Sequence, residues 1–350
     1  MEKRQRFLDS IRFLACSWVF LNHFFEAMNP LYLELWHIKP YSILLSGFNV
    51  KVGVSAFAVI MGYLAAKSGT NESKSLLRYT INRYIYFLVA EIIANAMIMT
   101  FFKFAPEYMW IAQLGLEKLS AKETVLFILK NAVHLDSKIY TTFWFIKPFF
   151  YASFICFILS RYRIQLIPLV LLDLALYCMG QGWVAICMLG AILYRIVNYD
   201  SVINSLLSKK RNRIIIVIVG IVLIKLFPRE SEITYYMDGI SNLLFYLVIF
   251  NSQKIQDAFE WRKLSSITNK YMAFLILHRQ VFHMLASLLN RRYEGILNTH
   301  AGFFGVMLLC YVVTILLCFP MDWLLNTLHK FICKVLTYIP FEKIEGKIQA

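Results

Sequence analysis

Ten apolar stretches follow one another along this 350-residue chain, and they constrain its fold more than any other feature. About 20 apolar residues in a helix cross the hydrocarbon core of a bilayer, so each stretch predicts a membrane span, some of them short or broken. The predicted spans cover residues 8–27, 50–67, 84–104, 142–160, 164–180, 182–198, 213–228, 237–251, 271–289 and 302–325. We therefore expect an all-α protein, a polytopic membrane helix bundle of about ten transmembrane helices that forms a single domain over residues 1–350.

The Lys and Arg residues are distributed unevenly between the predicted loops. If the amino terminus is cytoplasmic, the loops on its side of the membrane carry most of the 36 Lys and Arg residues. Basic residues collect on the cytoplasmic side of membrane proteins, so both termini are predicted to be cytoplasmic. The formal net charge of +15 follows from this bias, which favours membrane lipids as partners and argues against nucleic acid.

The amino terminus begins like a signal peptide but does not continue as one. Asp9 and Arg12 interrupt the apolar centre that a signal peptide requires, so we expect an uncleaved first span. The seven cysteines are an odd number without paired spacing, which predicts neither a disulfide framework nor a metal site. The seven histidines also lack the spacing of metal ligands.

The first predicted span carries four charged or polar side chains on one helical face. Arg12 and His23 are eleven positions apart, which brings them within about 20° of each other around the helix and about 16 Å apart along its axis. Asp9 lies three residues before Arg12, and Glu26 three residues after His23. Any one of these residues fits an interfacial anchor. Their shared face favours a functional polar stripe instead, because polar groups inside a membrane are costly.

Other polar residues fall deep inside later predicted spans. Glu91, Lys147, Asp173 and His278 must find polar partners or water there, either to stabilise the bundle or to form a site. The longest segment between spans, 105–141, contains an amphipathic piece over 124–133, which we expect to lie at the membrane interface as a short helix.

Four short motifs follow one another in the chain. They are Arg6, Asp9 and Arg12 followed after ten residues by His23; Gly53-Val-Ser-Ala-Phe57 with Met61-Gly62-Tyr63-Leu64; Trp144-Phe145 with Tyr151; and Tyr271-Met-Ala-Phe274-Leu-Ile-Leu-His278. In residue type, spacing and order they resemble the motifs of the acyltransferase 3 family of integral membrane acyltransferases. The resemblance extends over nearly the full chain.

The chain departs from the family pattern at three places. Tyr86 stands where the family usually has a second Arg after Arg83, and Met61 replaces the common Ser. Residues 319–323, with the sequence Phe-Pro-Met-Asp-Trp, stand near the place of the usual carboxy-terminal motif. These differences bear on how acyl-CoA would be bound and on which subfamily the chain resembles. They leave the Arg12 and His23 pattern intact.

The resemblance implies a membrane O-acyltransferase of the cytoplasmic (inner) membrane. Such an enzyme takes an acyl group, in the simplest case acetyl, from cytoplasmic acyl-CoA and delivers it to a hydroxyl of a surface or exported glycan. Acyl transfer to an alcohol needs a base, and the near-neutral pKa typical of histidine suits that role. The predicted catalytic residues are His23 as base, Glu26 to orient it, and Arg12; a transient acyl-His23 is an alternative.

The same resemblance assigns two further groups of residues. Arg12 and Arg83 are expected to meet the phosphates or pantetheine amides of acetyl-CoA, with Asp9 holding Arg12 in place. The predicted wall of the substrate cavity consists of Trp144, Lys147 and His278.

A transporter or flippase for a polysaccharide or lipid-linked sugar remains an alternative, because intramembrane charges also line transport paths. Transporters commonly contain repeated halves and helices broken at mid-membrane. The sequence shows neither feature, which favours the enzyme.

Overall fold

The computed structural model of the protein describes residues 5–27, 50–104, 119–135, 143–226 and 231–336. Every regular element in these ranges is helical, which confirms the predicted all-α class for the described part of the chain. The first seven α-helices are α1 (Arg6–Ala27), α2 (Val50–Gly69), α3 (Leu76–Phe104), α4 (Ala121–Val133), α5 (Ile146–Arg161), α6 (Leu166–Cys178) and α7 (Gly182–Tyr199). The next seven are α8 (Ser201–Ser208), α9 (Lys210–Leu226), α10 (Glu232–Phe250), α11 (Gln253–Phe259), α12 (Ser265–Thr268), α13 (Tyr271–Arg292) and α14 (His300–Leu336).

Each predicted span corresponds to one of these helices, and within the described ranges six helices are long and apolar enough to cross a membrane. These six are α2, α3, α7, α10, α13 and α14. They indicate a multi-pass membrane protein. The 13 residues of α6 extend only about 20 Å, less than the hydrocarbon thickness of about 30 Å. The count of ten spans and the side of the two termini therefore stay predictions.

Two helices extend well beyond their predicted spans. Helix α3 begins at Leu76 rather than at residue 84, so Arg83 lies inside a helix and not in a loop. Helix α14 continues to Leu336, eleven residues past the predicted end at 325. A span predicted from hydropathy ends where charged residues begin. The helix itself can continue past that point, because long charged side chains reach water from a helical backbone.

The chain divides into two compact units. Unit 1 comprises residues 1–15, 49–81 and 147–265, and unit 2 comprises residues 16–48, 82–146 and 266–350. The division falls inside α1 and inside α3, so the two parts of each of these helices belong to different units.

The core of unit 1 is built from α2, α7 and α10, each of which packs against the other two. Helices α6 and α9 cover this core by packing on α7 and α10. The Asn242 amide donates to Ser55 Oγ at 2.9 Å, and the Tyr246 hydroxyl donates to the Ala56 carbonyl oxygen at 3.1 Å. Because the later residue of α10 bonds the later residue of α2, the two helices run in the same direction, as the predicted alternation of spans requires.

Glycines allow α2 and α7 to touch backbone to backbone. A Cβ atom on Gly62 would lie 1.8 Å from the Cys187 carbonyl oxygen, and one on Gly190 would lie 2.0 Å from the Val59 carbonyl oxygen. Small residues permit this close approach between membrane helices, where van der Waals contact replaces the hydrophobic effect. The Gly62 of the second motif is therefore explained by packing.

Unit 2 contains the second part of α1, the part of α3 from Asn82 onward, and α4, α13 and α14. Helices α13 and α14 pack against each other, and aromatic rings join α1 to both. The buried Phe20 ring lies 5.3 Å from Tyr311 and 6.1 Å from Phe274 between ring centroids. The Ser17 and Tyr311 hydroxyls form a hydrogen bond of 2.7 Å.

Helix α4 confirms the predicted helix of the segment between spans. It begins with a capping box, in which Ser120 Oγ accepts from the Glu123 amide and the Glu123 carboxylate accepts from the Ser120 amide. Its apolar residues Val125, Leu126 and Leu129 are exposed, which suits a helix lying against lipid. The Tyr84 hydroxyl donates to the Val133 carbonyl oxygen at 2.6 Å and ties the end of α4 to α3.

Candidate functional site

Two histidines from separate motifs meet in unit 2. The rings of His23 in α1 and His278 in α13 stack with centroids 5.5 Å apart and planes 20° from parallel. His23 is partly exposed, whereas His278 is completely buried. One histidine therefore lies beneath the other, and the outer one is the more accessible.

The hydrogen bonds of His278 determine which of its nitrogens carries the proton. Its Nδ1 lies 3.2 Å from the Phe274 carbonyl oxygen and 3.0 Å from the Leu275 carbonyl oxygen. Carbonyl oxygens only accept hydrogen bonds, so in the neutral ring Nδ1 carries the hydrogen and Nε2 carries the lone pair. Nε2 is buried and has no hydrogen-bond partner among the described residues. A buried ring nitrogen without a hydrogen-bond partner is costly in a folded interior.

Aromatic rings surround the buried histidine. The His278 centroid lies 6.0 Å from Phe274, 6.3 Å from Phe282 and 6.5 Å from Phe20. Such rings exclude water and strengthen electrostatic interactions within the site. His283, further along α13, is buried as well.

The amino-terminal part of α1 carries the predicted ion pair in unit 1. Arg12 Nη1 lies 3.2 Å from Asp9 Oδ1, and the two side chains are only 12% and 10% exposed. The Phe7 ring packs edge-on against Phe250 at the end of α10, which fixes the start of α1 on the core of unit 1. The Asp9 carboxylate therefore restrains the Arg12 guanidinium.

The other predicted site residues have varied surroundings. In unit 2, the Arg83 guanidinium lies over the Phe87 ring at 5.2 Å, and Trp144 is 36% exposed with its ring edge-on to Phe145. Lys147 belongs to unit 1, in the first turn of α5, and is exposed. The backbone of Glu26 lies in α1, and its side chain lies outside the described residues.

Sequence reasoning missed the bond between Ser17 and Tyr311. In the sequence, Ser17 is a polar residue within the apolar run of the first predicted span, and Tyr311 falls in the apolar run of the last predicted span. They are separated by 294 residues, so no local pattern relates them. The bond fixes Tyr311 beside Phe20 and Phe274, two of the rings that surround His278.

No family model, curated protein or solved structure matches this chain. The resemblance to acyltransferase 3 proteins rests on the four motifs alone. The structure adds that the first and fourth motifs each contribute one ring to the stacked histidine pair.

Proposed function

We propose that this protein is a membrane O-acyltransferase that moves an acyl group, in the simplest case acetyl, from cytoplasmic acyl-CoA to a hydroxyl of a surface or exported glycan. The proposed location is the cytoplasmic membrane. The observation that carries the proposal is the stacked pair of His23 and His278, since a half-accessible histidine over a buried one is suited to proton transfer. The four motifs supply the reaction class and the two substrates.

In this proposal His23 acts as the general base. It is the more exposed ring of the pair, so an acceptor hydroxyl can reach it. When His23 takes the hydroxyl proton it becomes an imidazolium, and in this proposal the neutral imidazole of His278, whose Nε2 carries a lone pair, stabilises the cation electrostatically in the water-poor site. His278 then acts through His23 and does not need to touch the acceptor.

On the donor side, the proposal assigns the CoA phosphates or amides to Arg12 and Arg83. A planar guanidinium forms paired hydrogen bonds with phosphate, and the ion pair with Asp9 limits the rotamers of Arg12. Trp144 and Lys147 remain the proposed residues of the acceptor path.

The test is transfer of radiolabelled acetyl from acetyl-CoA to glycan by the purified protein in vesicles. We expect wild type to label the glycan, and His23→Ala to lose roughly 10²-fold or more of the rate, as removal of a general base does. His300→Ala is the matched control, because His300 is an exposed histidine at the start of α14. It is expected to keep the wild-type rate.

Two outcomes would overturn the proposal. Full activity in His23→Ala would place the base elsewhere. Movement of glycan across the vesicle membrane without acyl-CoA, with no label transferred, would identify a transporter instead.

A further inference from the structure

A thiol, an imidazole and an amide meet in unit 2 where α14 passes α3. Cys333 Sγ lies 3.4 Å from His329 Nε2 and 3.6 Å from the side-chain oxygen of Asn82. The same His329 nitrogen lies 3.4 Å from the main-chain carbonyl oxygen of Asn82. His329 Nε2 can take the thiol proton when Nδ1 carries the hydrogen of the neutral ring, and once Nε2 is protonated it can donate to the main-chain carbonyl oxygen of Asn82.

The surroundings of this cluster connect it with the proposed donor substrate. Asn82 directly precedes Arg83, the residue proposed to grip acyl-CoA, in the same helix. Tyr86, which replaces the second Arg of the family pattern, packs its ring edge-on against His329 at 5.6 Å. The departure from the family pattern thus lies where this chain positions a histidine beside a thiol.

Accessibility of the thiol follows from the length of α14. Its 37 residues extend about 55 Å, some 25 Å more than the hydrocarbon core, so part of the helix must lie outside it. The polar residues Asn326, His329, Lys330 and Lys334 all follow the predicted end of the span. Cys333 is partly exposed.

We propose that Cys333 is acylated by acyl-CoA, so that the acyl group is first held by the protein as a thioester. The inference deepens the proposed function, because it depends on an acyl thioester as donor. It names a residue of this chain as the first acceptor of the acyl group.

The step is an exchange of one thioester for another. Burial disfavours a free thiolate, so His329 Nε2 takes the Cys333 proton as the sulfur attacks the acyl carbonyl carbon. The main-chain carbonyl oxygen of Asn82 accepts a hydrogen bond from Nε2 of the His329 imidazolium that forms. The bond between the acyl carbon and the CoA sulfur then breaks, and the CoA thiolate takes the proton from His329. The products are S-acyl-Cys333 and free CoA thiol, with no oxidation or reduction.

The test uses full-length protein in vesicles with radiolabelled acetyl-CoA and no glycan, quenched in acid at short times. We expect label on the protein that neutral hydroxylamine releases, as it does from thioesters, and mass spectrometry to locate it at Cys333. Cys333→Ser should remove this label, whereas Cys178→Ser, at an exposed cysteine of unit 1, should keep it. His329→Gln should slow labelling by roughly 10²-fold while Cys333 still reacts with maleimide.

The outcomes separate this inference from the proposed function. Glycan transfer by wild type without label on Cys333 at any time of a single turnover would overturn the acyl-cysteine and leave the acyltransferase standing. Label that persists in Cys333→Ser would also overturn it. Neither label nor transfer would overturn both proposals.

Discussion

Units 1 and 2 bring their helices together by different means. In unit 1, α2 and α7 touch through Gly62 and Gly190, and the contacting atoms belong to the backbone. In unit 2, the contacts between α1, α13 and α14 are made by aromatic rings, with Phe20 at the centre. Both arrangements pack helices closely, and in unit 2 the ring cluster encloses His278, whose buried Nε2 has no hydrogen-bond partner among the described residues.

We infer from this difference that the glycine contact of unit 1 is structural and that the ring cluster of unit 2 is part of the functional site. Backbone contact at glycines gives close packing and no room for reactive groups. Aromatic rings can pack around a further flat ring, so a histidine fits among them. One of its ring nitrogens then lacks a hydrogen-bond partner, which is unfavourable. We therefore expect substitutions in the glycine contact to affect folding, and substitutions in the ring cluster to affect activity.

The largest expected effect is on the stability of unit 1. In Gly190→Val, the added Cβ would meet the Val59 carbonyl oxygen at 2.0 Å and the Tyr63 amide nitrogen at 2.5 Å. Both atoms belong to the backbone, so the helices must separate, and we expect the free energy of unfolding to fall by about 3 kcal/mol or more. Thermal unfolding of the purified protein in detergent measures this loss.

Gly305→Ala provides the control, because nothing lies within 4 Å of the Cβ that it adds to α14. Alanine is the better helix former by about 1 kcal/mol, so this variant should unfold at the same or a higher temperature. If both variants lost the same amount of stability, the contact between α2 and α7 would not be the reason that position 190 requires glycine.

The second prediction concerns unit 2. His278→Phe replaces a fully buried histidine with a ring that the surrounding Phe20, Phe274 and Phe282 can accommodate. It removes the unshared Nε2, so stability should be unchanged or rise by about 1 kcal/mol. Acyl transfer should fall by roughly 10²-fold, because the stacked partner of His23 then lacks its imidazole.

Phe303→Leu is the matched control, since Phe303 is also fully buried in unit 2 and packs on Phe24 and Phe25. We expect it to lower stability by about 1 kcal/mol and to keep the activity of each folded molecule. If His278→Phe unfolds like a core mutant and its folded fraction keeps full activity, the buried ring is structural and the comparison between the units fails.

The sequence predicted helices better than their contacts. Each span predicted from an apolar run coincides with a helix, because the apolar composition that favours burial in lipid or protein can be read from a local stretch of sequence. The shared face of Asp9 and Arg12 also follows from helical period alone, and the structure forms this pair. Helix ends were less accurate, since the backbone of α14 continues through polar residues to Leu336.

Contacts between distant segments required the structure. Gly62 and Gly190 each look ordinary in a membrane helix, and only their meeting explains them. The motifs assign His23 and His278 to separate roles, and no spacing predicts that their rings stack, because 255 positions separate the two residues. Cys333 and His329 share a helix face, yet their joint contact with Asn82, 251 residues from Cys333, gives no sequence signal.

The third prediction tests whether buried charges distinguish the units. The Asp9 and Arg12 side chains in unit 1 are 10% and 12% exposed, and the Lys270–Asp322 pair in unit 2, with Nζ to Oδ2 of 2.9 Å, is 14% and 25% exposed. Because the two pairs are similarly enclosed, Asp9→Asn and Asp322→Asn should each lower the free energy of unfolding by about 2 kcal/mol.

An exposed pair of unit 1 serves as the reference. Arg163 and Glu72 are 74% and 81% exposed at a separation of 3.1 Å. Glu72→Gln should change stability by less than about 0.5 kcal/mol, as surface ion pairs contribute little. A large loss for only one of the two enclosed pairs would mean that the units also differ in how they hold charge.

The smallest expected effect belongs to the cap of α4, which is in unit 2 but uses neither rings nor glycines. Hydrogen bonds from Ser120 lower the pKa of the Glu123 carboxyl below its ordinary value. A lowered folded-state pKa contributes stability above the ordinary pKa and loses it as the pH falls through the lowered one. Hydrogen exchange of residues 119–135, corrected for intrinsic rates, should therefore show more protection in wild type than in Glu123→Ala at about pH 6, and a smaller difference between the two at about pH 3.

Glu123→Gln sharpens this measurement, because an amide oxygen can accept from the Ser120 amide without titrating. The variant should keep its protection at both pH values. Since the cap is local, the thermal unfolding of all three proteins should coincide. If Glu123→Ala instead lowered the unfolding temperature as much as the enclosed ion pairs, α4 would belong to the cooperative core of unit 2. The aromatic rings would then not be the main contact of that unit.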